Sequence, residues 1–175
     1  MVMGGTVNKR LVRYLIAAGV DALGMSGVDR GLVRAEKMQH PTQDMGFTGL
    51  VRAVRGDVLT SLLEQGITPV VAPVCLGVDS NFNVNADHVA GAIAEAVAAS
   101  RVVFLTNVEG VLVNGEVIGT LTPERTSVLI TDGTIFGGMI PKVQTALAAL
   151  GNGVPQAVIT NIAGLKNKGG TIFSK

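Results

Sequence analysis

Ile67-Thr-Pro-Val-Val-Ala-Pro-Val74 and Val102-Val-Phe-Leu-Thr106 are the apolar segments that decide the fold, and an alanine-rich segment, 87–99, lies between them. Short apolar runs of this kind are typical of strands that are buried on both faces. The apolar spacing of residues 87–99 predicts a helix. A buried strand, a helix and a second buried strand in succession predict an α/β fold, in which helices sandwich a mainly parallel sheet.

Further elements are predicted on both sides of this central stretch. Their apolar spacing and stop signals indicate helices at 7–18, 57–65, 123–131 and 141–150, and strands at 20–25, 154–160 and 171–173. The chain has no internal repeat and no linker, so residues 1–175 are predicted to form a single domain.

The remaining segments of the chain have less regular patterns. Segments 31–37 and 46–54 are predicted to be either edge strands or a hairpin, and 75–86 is predicted to be a loop. Asn114-Gly115 lies between the short apolar segments 111–113 and 116–118. This dipeptide between apolar segments is a strong signal for a tight β-hairpin.

The composition limits the partners of the chain. Its 14 lysines and arginines nearly balance its 13 aspartates and glutamates, and the net charge is +1. We therefore predict no nucleic-acid and no membrane partner, because binding to polyanions or anionic membranes usually needs an excess of positive charge. Apolar runs are interrupted well before the roughly 18 residues that a membrane-spanning helix needs.

The cysteine and the histidines indicate a reduced protein without a metal site. Cys75 is the single cysteine and cannot form an internal disulfide, which favours a buried thiol and a cytoplasmic location. His40 and His88 have no metal-ligand spacing with each other or with Cys75, so we interpret them as surface or packing residues.

The first candidate constellation is Asn83-Val-Asn-Ala-Asp87, between a predicted strand and the helix at 87–99. In an extended segment, alternate residues point the same way, so Asn83, Asn85 and Asp87 could present three polar side chains to one space. Ligands bind at the carboxyl ends of the strands in open α/β sheets. In the alternative interpretation, Asp87 only caps the helix and the asparagines only shape a turn.

The second constellation is Gly137-Gly-Met-Ile-Pro-Lys142, in which Pro141 marks the first turn of a helix. A lysine in that turn opposes the helix dipole, whereas free N–H groups at the same end attract phosphate. Lys142 is therefore either part of an anion site or an ordinary solvated lysine.

The third constellation, Thr106-Asn-Val-Glu-Gly110, is a turn at the end of a buried strand. On its own it is weak evidence for a ligand site, because asparagine and glycine are ordinary turn residues. The chain contains neither a G-x-G-x-x-G fingerprint nor a P-loop.

Taken together and in this order, several stretches resemble the amino acid kinase family. They are Gly5-Thr-Val-Asn-Lys9, Ala22-Leu-Gly-Met-Ser-Gly27 with Asp29, Asp44-Met-Gly-Phe-Thr-Gly49, Pro69-Val-Val-Ala-Pro73, Asn83-Val-Asn-Ala-Asp87, Leu105-Thr-Asn-Val-Glu-Gly-Val-Leu112 and Asp132-Gly-Thr-Ile-Phe-Gly-Gly-Met-Ile-Pro-Lys142. The resemblance implies a carbamate kinase-like three-layer fold. It also implies transfer of the γ-phosphate of MgATP to the side-chain carboxylate of N-acetylglutamate, giving an acyl phosphate in arginine biosynthesis.

The resemblance also implies roles for individual residues. Lys142 would stabilise the transferring phosphoryl group, Asp87 would organise the catalytic lysines, and Asn83 and Asn85 would bind the acetylglutamate. The adenine nucleotide site would be formed by Thr106, Asn107, Val108, Glu109, Gly110, Val111, Leu112, Thr134, Ile135, Phe136, Gly138 and Met139.

The chain also departs from the family's pattern. The family's amino-terminal Lys-x-Gly-Gly motif, glycine-rich substrate loop and substrate-binding arginine have no counterpart in it. We therefore expect a chain truncated at its amino terminus that corresponds mostly to the nucleotide-binding lobe and has weak activity alone. Asn107 stands where the family usually has Asp and Arg30 where it usually has Gly, and we expect no room for a final helix after Thr160.

Two other functions remain open at this point. A related kinase would act on another carboxylate, such as a carrier-protein-linked aminoadipate or aspartate. A member of a different class would bind nucleotide or form oligomers without phosphotransfer. In each case we expect a homo-oligomer. Without the family's amino-terminal segment, sheet edges and apolar faces would be exposed, and such surfaces tend to pair with another copy of the chain.

Overall fold

The computed structural model describes residues 2–175, which divide into two compact units. The first unit ends at Val97 and the second begins at Ala98. The single domain predicted for residues 1–175 stays a prediction. No helix in the described part of the chain is long and apolar enough to span a membrane.

The first unit begins with a π-helical segment, Val2–Val7, and continues with three helices and five strands. These are α1 (Asn8–Ala17), β1 (Ala22–Gly27), β2 (Val33–Lys37), β3 (Thr48–Val54), α2 (Gly56–Glu64), β4 (Thr68–Leu76), β5 (Asn81–Val84) and α3 (Ala86–Ala96), with a 3-10 turn at Asp29–Gly31. The strand order is β1-β4-β2-β3-β5, and β5 also pairs with β4. Four strands therefore form a closed ring, with β1 outside it.

The second unit contains six short strands and three helices. These are β6 (Val102–Leu105), β7 (Leu112–Val113), β8 (Glu116–Val117), β9 (Thr120–Leu121), α4 (Pro123–Thr131), α5 (Met139–Gly151), β10 (Gln156–Thr160), α6 (Ile162–Lys166) and β11 (Thr171–Ser174). The sheet order is β6-β10-β11-β9, and β7 pairs only with β8. Strand β10 is parallel to β6 and antiparallel to β11, and α5 packs against β10 and β11.

The core of each unit is mainly aliphatic. In the first unit, Leu32, Val33 and Leu59 are almost completely buried. In the second, Val143 on α5 and Ile159 on β10 are buried, together with Phe173 on β11. The α/β class is confirmed, and the sheets are mixed, with both parallel and antiparallel pairs.

Several predicted elements are confirmed, and others are wrong. The helix at 123–131 has the predicted bounds, and the hairpin at Asn114-Gly115 is confirmed by φ angles of 54° and 85°, the values of a type I′ turn. Strands β2 and β3 pair antiparallel inside the ring, so the hairpin alternative is correct and the edge alternative is wrong. The two segments that predicted one parallel sheet, β4 and β6, lie in different sheets.

The remaining errors have local causes. The predicted loop at 75–86 contains β5, whose four residues were too short for a periodicity argument. The helix predicted to reach residue 99 ends at Ala96. The segment after Thr160, where we expected no room for a helix, forms α6, because the side-chain oxygen of Asn161 accepts a hydrogen bond from the Gly164 N–H at 2.7 Å.

Candidate functional site

The second unit contains a pocket of about 460 Å³ at the carboxyl end of β6 and the amino terminus of α5. Two stretches of the unit, 106–112 and 134–142, line it with these residues: Thr106, Asn107, Val108, Gly110, Val111, Leu112, Thr134, Ile135, Phe136, Gly138, Met139 and Lys142. The two stretches are distant in sequence, and the fold brings them together as three walls around one space.

The first wall follows directly from the strand pairing of β6 and β10. Beyond the last residue of β6, the Thr106 N–H donates to the Thr160 carbonyl at 2.8 Å and so continues the parallel ladder. The Thr106 hydroxyl donates to the side-chain oxygen of Asn107 at 3.2 Å. These bonds fix the start of the turn that leads to Gly110.

The second wall, Gly110 to Leu112, leads into the β7–β8 hairpin. Val111 is almost completely buried, and its N–H donates to the Thr171 hydroxyl at 2.8 Å. Gly110 passes so close to β11 that a Cβ atom on it would lie 2.7 Å from the Thr171 hydroxyl oxygen. Glycine is therefore required at position 110 by the close approach of the two segments.

The third wall, Thr134 to Met139, is a short loop with two anchors. The carboxylate of Asp132 accepts a hydrogen bond from the Thr134 N–H at 2.9 Å, and the Ile135 N–H donates to the Leu129 carbonyl at 2.7 Å. Hydrogen bonds from Thr134, through its side chain and its backbone, lower the pKa of Asp132. Ile135 is buried, whereas the Phe136 side chain is 74% exposed at the pocket rim.

Lys142 lies in the first turn of α5 and lines the pocket with a half-buried side chain. Ahead of the helix, Gly137 has a φ of 57°, a left-handed conformation that glycine adopts without steric cost. The prediction of free N–H groups at this end of the helix is wrong for two residues, whose N–H groups are hydrogen-bonded. The Met139 N–H donates to the Phe136 carbonyl and the Ile140 N–H donates to the Gly137 carbonyl, at 3.3 and 3.2 Å. Lys142 and the helix dipole are thus the main positive features at this end.

Eleven of the twelve residues predicted for a nucleotide site line this pocket, and the exception is Glu109, which is exposed in the same turn. Thr160 and Thr171, whose groups hold the pocket segments, were not predicted. Both are almost completely buried threonines at the ends of apolar strands. Their position at the ends of apolar segments is the sequence signal that could have singled them out, because a hydroxyl buried there needs a partner.

The other predicted site residues belong to the first unit. Asn83 is exposed on β5, where its N–H donates to the Phe47 carbonyl at 2.8 Å. The side-chain oxygen of Asn85 accepts from the Asp87 N–H at 2.8 Å and caps α3. The cap is therefore Asn85 and not Asp87, which lies within the first turn of α3. The extended segment predicted for 83–87 ends at Asn85, so the alternation argument applies only to Asn83 and Asn85.

The remaining chemical candidates are inert or exposed. Cys75 is buried, and its burial raises the pKa of the thiol to about 11. His40 is exposed and contacts Thr42. Within residues 2–175, no cluster of His, Cys, Asp and Glu side chains could hold a metal ion.

The fold and the pocket together define an α/β protein with a partly apolar ligand site beside a lysine at a helix amino terminus. Comparison with known proteins makes this class specific. Residues 1–161 match the amino acid kinase family. The acetylglutamate kinase of Roseiflexus sp. (strain RS-1) is 57% identical over 175 residues, which are 100% of this chain and 67% of that protein. The acetylglutamate kinase of Chloroflexus aurantiacus (strain ATCC 29366 / DSM 635 / J-10-fl) is 51% identical over 176 residues, covering 99% of this chain and 69% of that protein.

A solved structure agrees with these matches. The crystal structure of smu.665 from Streptococcus mutans UA159 superimposes with a TM-score of 0.84 at 30% identity, over 98% of this chain and 68% of that one. The chain belongs to the amino acid kinase family. It spans about two thirds of the length of these relatives.

The backbone conformation at position 30 explains why glycine suits it, and nothing in the structure explains the arginine. Arg30, where the family usually has glycine, has a φ of 55°, a left-handed conformation that glycine adopts without steric cost.

Proposed function

We propose that this chain transfers the γ-phosphate of MgATP to the side-chain carboxylate of N-acetylglutamate, forming an acyl phosphate in arginine biosynthesis. Two findings support the choice of reaction and acceptor. The chain belongs to the amino acid kinase family, and relatives that are 57% and 51% identical carry the name acetylglutamate kinase. The observation that carries the proposal is the pocket in the second unit, which combines an apolar wall with Lys142.

The pocket suits an adenine nucleotide in shape and chemistry. Val111, Leu112 and the exposed Phe136 offer an apolar surface for the adenine ring. Lys142 and the amino terminus of α5 offer positive charge for the phosphates. The magnesium ion enters with the nucleotide. Because no carboxylate is among the described residues that line the pocket, phosphate oxygens and water would be its main ligands.

The chemistry requires positioning and charge stabilisation. A carboxylate oxygen of the acceptor forms a bond to the γ-phosphorus, the bond from that phosphorus to the bridging oxygen breaks, and ADP leaves with the electron pair. The carboxylate carries no proton at neutral pH, so no general base is needed. Negative charge spreads over the transferring group, and a fixed cation such as Lys142 stabilises it.

The acceptor side of the proposal rests on the first unit. Asn83 and Asn85 would bind the acetylglutamate, and Asp87 would organise the catalytic lysines. Asn83 has an exposed amide on β5, which can bind a polar ligand. Asn85 already uses its side-chain oxygen to cap α3, so its amide group would have to contact the acceptor through the nitrogen.

Two properties accompany the proposed reaction. The single buried thiol, with its raised pKa, is suited to the reducing cytoplasm, where we place the enzyme.

Helix α1 exposes Leu11, Tyr14 and Ile16, which favours a homo-oligomer. Light scattering tests the second property, and a monodisperse monomer at all concentrations would contradict it.

The proposed reaction is tested by a coupled assay for ADP release, together with calorimetric titration of the chain with MgADP. The proposal predicts saturable nucleotide binding and ADP release that depends on N-acetylglutamate. Release with aspartate or aminoadipate, but not with N-acetylglutamate, would reassign the acceptor. Nucleotide binding without release on any of these carboxylates would favour a nucleotide-binding module. No nucleotide binding at all would overturn the proposal.

A further inference from the structure

Thr171, the first residue of β11, has a completely buried side chain that links two distant segments of the second unit. Its hydroxyl oxygen accepts a hydrogen bond from the Val111 N–H at 2.8 Å. The same hydroxyl donates to the Ile118 carbonyl at 2.7 Å. A single hydroxyl thus satisfies one donor and one acceptor of the backbone at the base of the β7–β8 hairpin.

The hydroxyl occupies the place of a missing backbone bond. Leu112 pairs with Val117 and Val113 with Glu116, so Val111 lies opposite Ile118. The Ile118 N–H donates to the Val111 carbonyl at 2.9 Å. In a regular antiparallel pair of this kind, the Val111 N–H would return a bond to the Ile118 carbonyl. Here the Thr171 hydroxyl bridges the two groups and replaces that bond.

The surrounding glycines leave room for this arrangement. A Cβ atom on Gly110 would lie 2.7 Å from the Thr171 hydroxyl oxygen and 3.1 Å from its backbone nitrogen. Gly170, immediately before Thr171, has a φ of 123°, and a Cβ there would lie 2.7 Å from the Thr160 Cβ. The Thr160 hydroxyl in turn donates to the Gly169 carbonyl at 3.0 Å. The position of Thr171 is therefore fixed from both sides.

Gly110, Val111 and Leu112 line the pocket, whereas Thr171 does not. We infer that Thr171 is a positioning residue, which holds this wall in place and thereby sets the affinity of the pocket for the adenine nucleotide. The inference rests on the proposed function. Without the hydroxyl, the buried Val111 N–H and the partly buried Ile118 carbonyl lose their partner. The pocket wall at Val111 is then no longer held to β11.

The test compares three variants of the 175-residue chain. Thr171→Val keeps the shape and removes the hydroxyl, and Thr171→Ser keeps the hydroxyl. Thr126→Val is the matched control, because Thr126 is also completely buried in this unit and its hydroxyl donates to the Thr122 carbonyl at 2.7 Å, but it does not line the pocket. Calorimetric titration with MgADP gives the affinity, and amide hydrogen exchange reports on the hairpin.

We expect Thr171→Val to weaken MgADP binding about tenfold, which corresponds to about 1.4 kcal/mol. Thr171→Ser should stay within about threefold of the parent, and Thr126→Val within about twofold. In turnover, Thr171→Val should raise the KM for ATP with little change in kcat, since the residue does not touch the reacting atoms. Amide exchange at Val111 and Ile118 should accelerate in Thr171→Val, while exchange in β6 stays unchanged.

The possible failures are distinguishable. If the parent binds no MgADP, the proposed function fails, and this inference about affinity fails with it. If the parent binds MgADP and Thr171→Val binds it equally well, only this inference is overturned. Equal weakening by Thr126→Val and Thr171→Val would also overturn it, because the effect would then follow from general destabilisation. Unchanged exchange at Val111 in Thr171→Val would contradict the bridging role itself.

Discussion

The two units of the molecule use their buried polar side chains differently. In the second unit, the buried polar residues are Thr126, Thr160 and Thr171, and each hydroxyl has a hydrogen-bond partner. In the first unit, the buried polar residue is Asn8. Its amide nitrogen donates to the Val70 carbonyl at 2.8 Å and the Met25 carbonyl at 3.3 Å, whereas its oxygen is buried without a partner.

The difference shows which unit has a ligand site that is held in place by buried hydrogen bonds. The Thr171 hydroxyl holds the backbone of Val111 in a wall of the pocket. The Thr160 hydroxyl donates to the Gly169 carbonyl, two residues before Thr171. The candidate nucleotide site is therefore built into the second unit. Asn8 instead attaches helix α1 to strands β1 and β4 and supports the first unit's fold. Asn83 and Asn85, the proposed acceptor residues of that unit, are exposed. Changes in the two units should therefore have separable effects on nucleotide binding and on stability.

The largest expected effect is on turnover, from Lys142→Ala. Removing a fixed group that stabilises developing charge typically lowers kcat by about 10² to 10³. Because the contact strengthens in the transition state, the affinity for MgADP should fall much less than kcat. Steady-state kinetics and calorimetry measure the two quantities. Lys166→Ala, at an exposed lysine in α6 outside the pocket, is the control and should leave both unchanged. Equal losses of kcat in both variants would contradict the role of Lys142.

Gly24→Ala tests the first unit and should lower the free energy of unfolding by about 1 to 3 kcal/mol. A Cβ atom there would collide with the side-chain oxygen of Asn8 and lie 2.9 Å from Val12. The control is Gly91→Ala in helix α3, where the added Cβ atom has no neighbour within 4 Å. This variant should raise the free energy of unfolding by about 0.5 to 1 kcal/mol. Chemical denaturation measures both changes. Equal stability of the two variants would show that Asn8 does not limit the space at Gly24.

The same pair of variants sharpens the comparison between the units. At temperatures where Gly24→Ala remains folded, its affinity for MgADP should match that of the parent, because the pocket residues all belong to the second unit. A large loss of nucleotide affinity in the folded variant would contradict the separation of effects.

A smaller effect is expected from Asn85→Ala, which removes the side-chain cap of α3. Loss of such a cap costs about 1 kcal/mol, and Asn85→Asp, which can still accept the hydrogen bond, should retain most of it. Thermal unfolding measures the loss. If Asn85 also binds the acceptor, Asn85→Asp should raise the KM for N-acetylglutamate while keeping stability, since a carboxylate repels the anionic acceptor.

Asp132 carries the smallest predicted effect, which is a pH dependence. Its pKa in the folded chain lies below the usual value of 3.8 because of hydrogen bonds from Thr134. The stabilising contribution is therefore full above that usual value and falls as the pH decreases through the lower folded pKa. An NMR titration of the Asp132 carboxyl should have a midpoint below 3.8 in the parent. The midpoint should rise in Thr134→Val, and a parent midpoint above the usual value would contradict the contact.

The sequence predicted local elements and the pocket better than it predicted long-range pairing. Periodicity located α4 and the Asn114-Gly115 hairpin because both depend on neighbouring residues. The separation of β4 and β6 into two sheets depends on tertiary packing, which no local pattern records. The residues that line the pocket could be predicted because the family resemblance identified their segments. The bond from the Thr106 N–H to the Thr160 carbonyl and the two bonds of the Thr171 hydroxyl could not be predicted, because each joins residues distant in sequence.

The central claim is that the second unit contains the adenine nucleotide site, and NMR mapping of MgADP binding to the 175-residue chain tests it most directly. The account predicts saturable shifts in the amides of Thr106, Gly110, Val111 and Ile135, at the walls of the pocket. Lys142→Ala should leave the pattern of shifted amides recognisable. Saturable shifts confined to the first unit, or no saturable shifts at the pocket walls, would contradict the claim.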